Sequence, residues 1–148
     1  MTIYLGIDDT DTCESRGTGR LARTIAAELA GSYVVTGVTR HQFYVHPAIP
    51  YTSHNSSAVI HIQDAGAGDA AGLFTAAKEL MLADFVDGSD PGICVAADRN
   101  IDGSLRRFGL SAKTSVVTQE QARSLARQAG ILLEGLGGTE DGVIGALA

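Results

Sequence analysis

Apolar and polar positions along this chain change their period several times, and each change marks an element. Thr2 to Asp8 is an almost unbroken run of aliphatic and β-branched residues, which predicts a buried strand. After the Gly17-Thr18-Gly19 punctuation, Leu21, Ala22, Ile25, Ala26 and Leu29 recur at helical spacing opposite Arg20, Arg23 and Glu28, so an amphipathic helix should end near Gly31. Tyr33 to Tyr44 and Ser57 to Gln63 read as two strands around a loop, His46 to Asn55, that carries Pro47 and Pro50; the pair suggests a long-armed hairpin. From Gly66 to Asp84, Ala70, Leu73, Phe74, Ala77, Leu80 and Met81 lie on one helical stripe, and Gly92 to Ala97, opened by Pro91, is a fourth strand. Downstream, Ser104 to Phe108 predicts a helical turn, Thr118 with Glu120 and Gln121 opens a helix through Gln128, and Ile131 to Leu133 suggests a fifth strand. Gly135 to Gly142 is a glycine-rich turn before a short apolar helix, Val143 to Ala148.

The order βαββαβ is that of a ferredoxin-like α+β core, in which a mostly antiparallel sheet carries its helices on one face. The later helix and strand elements are additions to that core. No linker interrupts the pattern, so residues 1–148 are read as a single domain. The last helix stops after about a turn and a half, which suggests a continuation or a partner on which it docks.

The first strand ends in Asp8-Asp9-Thr10-Asp11, three carboxylates within four residues. Such groups repel one another, and a strand end holds them together when a cation shares the space. A hard divalent ion such as Mg2+ suits them, because it takes one or two carboxylates and completes its shell with water and substrate phosphates. Asp8, Asp9 and Asp11 are therefore the candidate metal ligands. A polar turn with Asp11 or Thr12 as a helix N-cap is the competing reading.

Composition narrows the setting. A chain of 148 residues with 45% hydrophobic content and a mean hydropathy of +0.10 can bury a real core. Eighteen glycines against three prolines fit tight connections between strands and helices. Two cysteines, Cys13 and Cys94, make no disulfide framework, and no secretory leader or membrane span is evident, so a cytoplasmic setting is expected. The net charge of −6 argues against autonomous binding to nucleic acid, whose affinity depends on many Lys and Arg contacts. Small groups of cations, Arg16, Arg20 and Arg23 or Arg99, Arg106 and Arg107, suit a phosphorylated small molecule better, although each could be a solvated face.

Other motifs carry less. Asp9-Thr10-Asp11-Thr12-Cys13 misses the DxDxT register of haloacid-dehalogenase phosphatases by placing Cys where Thr belongs. Asp98-Arg99-Asn100-Ile101-Asp102-Gly103 copies half a calcium loop but has Gly109 where a bidentate Glu would stand; Asp98 could still join the first cluster if the two strands are neighbours. His41, His46, His54 and His61 are spread over the hairpin and do not predict a shared metal site. Cys13 beside carboxylates is a poor nucleophile, whereas Thr18, at a helix start near the acidic cluster, is the better hydroxyl. Gly137, Gly138 and Thr139 could offer backbone N–H groups to an anion, or form a plain turn; they match neither a Walker A loop nor a dinucleotide fingerprint.

Taken together, GIDDTDT, GTGRLA, TRHQFYVHPAIPYTSHNSSAV, PGICVA and GGTEDGVIGALA resemble the kinase domain of the archaeal tRNA-isoleucine agmatidine (agmatinylcytidine) synthetases, over essentially the whole chain. The resemblance implies ATP- and Mg2+-dependent phosphoryl transfer related to tRNA modification, in which a cytidine carbonyl is phosphorylated before an amine displaces the phosphate. It implies that Asp8, Asp9 and Asp11 position metal and phosphates, that Thr18 corresponds to an autophosphorylated threonine, and that Arg40, Pro47 or Pro50, Thr52 and Asn55 follow in the family's order. Thr10, Arg40, Thr52, Asn55, Gly137, Gly138 and Thr139 are then the nucleotide-binding candidates, with Asp8, Asp9 and Thr18 in the catalytic role. The family's enzymes are longer and add RNA-binding and zinc-ribbon domains, so this chain would be a short, stand-alone homologue.

Three functional readings follow. One is a phosphotransferase or ATPase acting on a substrate not specified by the sequence. Another is a non-catalytic nucleotide-binding module that works beside a separate substrate-binding or RNA-binding protein. The third is an oligomerisation domain whose acidic turn is merely solvated.

Overall fold

The computed structural model describes residues 2–8, 18–42, 56–63, 69–83, 92–114, 117–136 and 142–147. Its core is the expected α+β arrangement. Strands β1 (Ile3–Asp8), β2 (Val34–Gln42), β3 (Ser56–Gln63), β4 (Gly92–Ala97) and β5 (Leu132–Gly135) form one sheet in the order β2-β3-β1-β4-β5, and every neighbouring pair is antiparallel. The first four strands have the ferredoxin-like order, and β5 extends the sheet beside β4.

Alternation along β1 explains why it sits in the middle. Ile3, Leu5 and Ile7 pair with Ile62, Ile60 and Ala58 on one side and with Ala97, Val95 and Ile93 on the other, and all three are fully buried. Helices α1 (Thr18–Leu29) and α2 (Asp69–Ala83) cover this face, contributing Leu21, Ala22, Ile25 and Leu29 and then Leu73, Ala77 and Met81. Each large aliphatic side chain removed from water here is worth about 1.5–3 kcal/mol, so this layer dominates stability. Lys78 of α2 also donates to both carboxylate oxygens of Glu134 on β5, at 2.9 and 3.0 Å. Both side chains are partly exposed, so that pair adds little.

The second face is where the structure departs from the expected one-sided layering. It is covered by α3 (Gly103–Thr114), α4 (Gln119–Ala129) and α5 (Gly142–Leu147), which build a separate core from Cys94, Ala96, Leu105, Phe108, Ala122, Ala126, Ile131, Ala146 and Leu147. Small residues on the sheet permit this. A Cβ on Gly6 would collide with the carbonyl oxygen of Ala146, so α5 can lie against β1 only because position 6 is glycine. The helical turn expected at Ser104–Phe108 is in fact a 12-residue helix, with Leu105, Phe108 and Ala112 as its buried stripe.

Local chemistry sets the ends of α4. Thr118 is its N-cap: its hydroxyl accepts from Gln121 N at 3.2 Å, and Gln121 Oε1 accepts from Thr118 N at 2.9 Å, a complete capping box. Gly130 closes the helix in the left-handed region at φ 70°.

Candidate functional site

Chain direction gathers the candidate residues at one end of the sheet. Asp8 ends β1, and in register with it lie Ser57 at the start of β3 and Gly92 at the start of β4. Gly92 in turn pairs with Gly135 at the end of β5, and Ser57 pairs with His41 near the end of β2. Helix α1 leads into β2, which begins beside Gln63 at the opposite end, so Thr18, the first residue of α1, belongs to the Asp8 end. Besides 84–91, which leads into Gly92, three segments meet this rim and carry the other candidates. They are residues 9–17, between β1 and α1; 43–55, between β2 and β3; and 137–141, after β5. Asp9, Thr10, Asp11, Thr52, Asn55, Gly137, Gly138 and Thr139 fall in these segments, outside the described residues. The described flanks of all three converge on one edge of the molecule.

Of the described candidates, Asp8 is nearly buried, at 9% exposure. Its cross-strand neighbour Ser57 is 2% exposed, and the Ser57 Oγ has no hydrogen-bond partner among the described residues. Directly opposed residues of an antiparallel pair point to the same face with Cβ atoms about 5 Å apart, so the Ser57 hydroxyl stands beside the Asp8 carboxylate. A buried hydroxyl without a partner carries a desolvation cost of roughly 1–3 kcal/mol, which a ligand at this rim would offset. Carboxylate and hydroxyl oxygens are the donor type that a hard cation takes, so the pair fits Mg2+. Ser57 closes the polar run His54-Asn55-Ser56-Ser57, whose composition suits hydrogen bonding to a phosphate, but its place beside Asp8 shows only in the strand register.

Arg40 is exposed and lies two strands from Asp8, on the opposite, α1/α2 side of the sheet, since it is paired with Ala58. Thr18 opens α1. Asp98 does not join the cluster. Strands β1 and β4 are neighbours as supposed, but they are antiparallel, so Asp98 follows the β4 end that faces Ile3, and its N–H donates to Thr2 O at 2.9 Å. That puts it roughly 20 Å from Asp8 along the strands, at about 3.3 Å per residue. The rest of the calcium-like run is spent on the helices: Asp102 Oδ1 accepts from Leu105 N at the start of α3, and Asn100 Nδ2 donates to Ala129 O at the end of α4, both at 2.9 Å.

The histidines behave differently from their spacing. Thr39 Oγ1 is 2.9 Å from the Nε2 of both His41 and His61, joining the two rings across β2 and β3. The hydroxyl has one proton to donate and lone pairs to accept with, so it can serve both rings, in roles set by their tautomers. His61 also meets Tyr4 edge-on, with ring centroids 5.2 Å apart. Burial holds the His41 pKa below its ordinary value, helped by Lys113 and then His61. A β-bulge between Val35 and Gly37 turns Thr39 and His41 toward the second face, which strict alternation from Val35 would not reveal. Cys94 is buried on that face, and burial pushes its thiol up to about 12, so it is no nucleophile. Among the described residues, no three His, Cys, Asp or Glu side chains are grouped so as to hold a metal, and no helix is long and apolar enough to cross a membrane.

Neither family models nor curated protein sequences match this chain. Solved structures do share its fold. The complex of TiaS with an isoleucine tRNA and ATP superposes with a TM-score of 0.82 at 22% identity, over 99% of this chain and 35% of that one. The complex of TiaS with the same tRNA, AMPCPP and agmatine gives 0.80 at 22% identity, with the same coverage. A tRNA fluorescent labelling enzyme gives 0.82, again at 22% identity and with 99% and 35% covered. TiaS is an isoleucine-tRNA agmatidine synthetase, and the chain spans about a third of its length.

Proposed function

We propose that this chain is an ATP- and Mg2+-dependent phosphotransferase or ATPase related to the kinase domain of agmatidine synthetase, with residues 1–148 acting as one kinase-like domain. The observation that carries this reading is the convergence at one rim of buried Asp8, the unpartnered Ser57 hydroxyl, the start of α1 at Thr18 and the flanks of the three segments holding the other candidates. The shared fold with TiaS, which was solved with ATP and with AMPCPP, supports it.

In this reading Asp8, Asp9 and Asp11 would hold the metal, with Ser57 as an additional oxygen donor beside Asp8. A magnesium held by these carboxylates would supply charge neutralisation for phosphoryl transfer. The chain itself supplies placement. Thr10, Thr52, Asn55 and the Gly137-Gly138-Thr139 turn would orient the nucleotide, and Thr18 would present a hydroxyl to the γ-phosphate. Phosphoryl transfer depends mainly on such positioning and charge compensation.

The test is ATP turnover by the purified chain with and without Mg2+, followed by Asp8→Asn. Turnover should require the metal and fall by roughly 100-fold or more in the variant, the scale of losing one key electrostatic group. A wild-type chain that neither binds nor hydrolyses Mg2+-ATP would overturn the proposal. A second reading draws on the chain's spanning only a third of TiaS: a nucleotide-binding subunit completed by a separate substrate-binding or RNA-binding protein. Tight ATP binding in calorimetry, with turnover appearing only when such a protein is added, would select it.

A further inference from the structure

A cavity of about 460 Å³ lies on the second face of the sheet, between the strands and α3, beside α5. It exists because Gly6, Cys94, Ala96, Gly109 and Ala146 are too small to fill the space between the layers. Its volume is in the range of small-molecule sites, and Ile101, Leu105 and Leu147 complete an apolar wall. The mouth is different in kind. Arg106 and Lys113 of α3 stand there with His41 and His61 from the hairpin, and among the described residues no Asp or Glu lines the cavity. Lys113 is close enough to His41 to oppose its protonation, which places two basic groups across one opening. Neither the Arg106 nor the Lys113 side chain has an ion-pair partner among the described residues. Leu110, 65% exposed, lies between them on α3.

Apolar depth with unpaired cations at the mouth is complementary to a ligand with a hydrocarbon or aromatic body and one anionic end. We propose that this cavity is a binding site for a small amphipathic anion, its body against Gly6, Ala96, Leu105 and Leu147 and its carboxylate or phosphate monoester at Lys113 and Arg106. Neither Asp8 nor Ser57 lines it, and it does not depend on the function proposed for their rim.

The test uses the 148-residue chain and 8-anilinonaphthalene-1-sulfonate, whose fluorescence rises in apolar surroundings. One probe should bind per folded chain. Decanoate and decyl phosphate should displace it, and whichever does so at lower concentration identifies the preferred head group, whereas decylamine should not compete. Lys113→Glu should weaken probe and decanoate binding about tenfold or more, because a like charge then faces the anion. Gly109→Leu, which adds bulk to the lining while improving helix propensity, should abolish binding without lowering the thermal midpoint. Equal competition by decylamine, or binding indifferent to both variants, would overturn the proposal. Displacement of the probe by Mg2+-ATP would overturn it as well, by making the cavity part of the nucleotide site.

Discussion

At the scale of single residues, most of the functional interest lies in polar groups that the sheet has taken out of water. Asp8 and Ser57 are a carboxylate and a hydroxyl side by side at a nearly buried strand end, and neither would be read together from positions 49 residues apart. His41 is a second case with a measurable consequence. Its pKa lies below 6.5 in the folded chain, chiefly through burial and then through Lys113 and His61, so the unfolded chain binds a proton more readily. Stability is therefore fully present above pH 6.5 and is lost as pH falls through the interval between 6.5 and the lower folded value. Urea denaturation at pH 7.5 and 5.5 should show weaker stability at the acid pH, and His41→Gln should flatten that difference. An unchanged slope in the variant would remove His41 as the cause.

At the scale of elements, agreement between pattern and structure follows the physics of each signal. Helix α4 was legible from its capping sequence alone, because Thr118 and Gln121 satisfy backbone groups within the same turn and need no tertiary partner. Thr118→Ala should cost about 1 kcal/mol, read as a lower urea midpoint with an unchanged m-value. Helix α3 was only partly legible. Gly103 and Gly109 interrupt its propensity, and its stripe of Leu105, Phe108 and Ala112 is fixed by packing on the second face. The bulge in β2 is of the same kind: one extra residue changes the facing of Thr39 and His41, and only the register with β3 reveals it.

At the scale of the whole molecule, the second helical layer is what the βαββαβ pattern did not contain. It rests on the close approach of α5 to β1, which position 6 permits by having no side chain. Gly6→Ala should destabilise the fold by about 2 kcal/mol or more, since the obstacle is backbone and the surrounding core is closely packed. A midpoint equal to wild type would mean that α5 yields at little cost. The same layer explains why Cys94 is inert and why small residues leave a cavity under α3. The two candidate sites share the face this layer covers, one at the rim where chain segments turn and one where two layers fail to meet, and His41 of the cavity mouth is the cross-strand neighbour of Ser57.

The amino-acid sequence by itself determined the element order, the antiparallel α+β class and the concentration of acidic groups after the first strand, because period, capping and charge crowding are local properties of neighbouring residues. Tertiary structure alone decided that Ser57 stands beside Asp8, that Asp98 lies at the far end of the sheet, that His41 and His61 share Thr39, and that helices cover both faces. These depend on strand direction, register and the space left by glycine and alanine. Such relations join residues distant in the chain, and they acquire a definite geometry only when the sheet has formed.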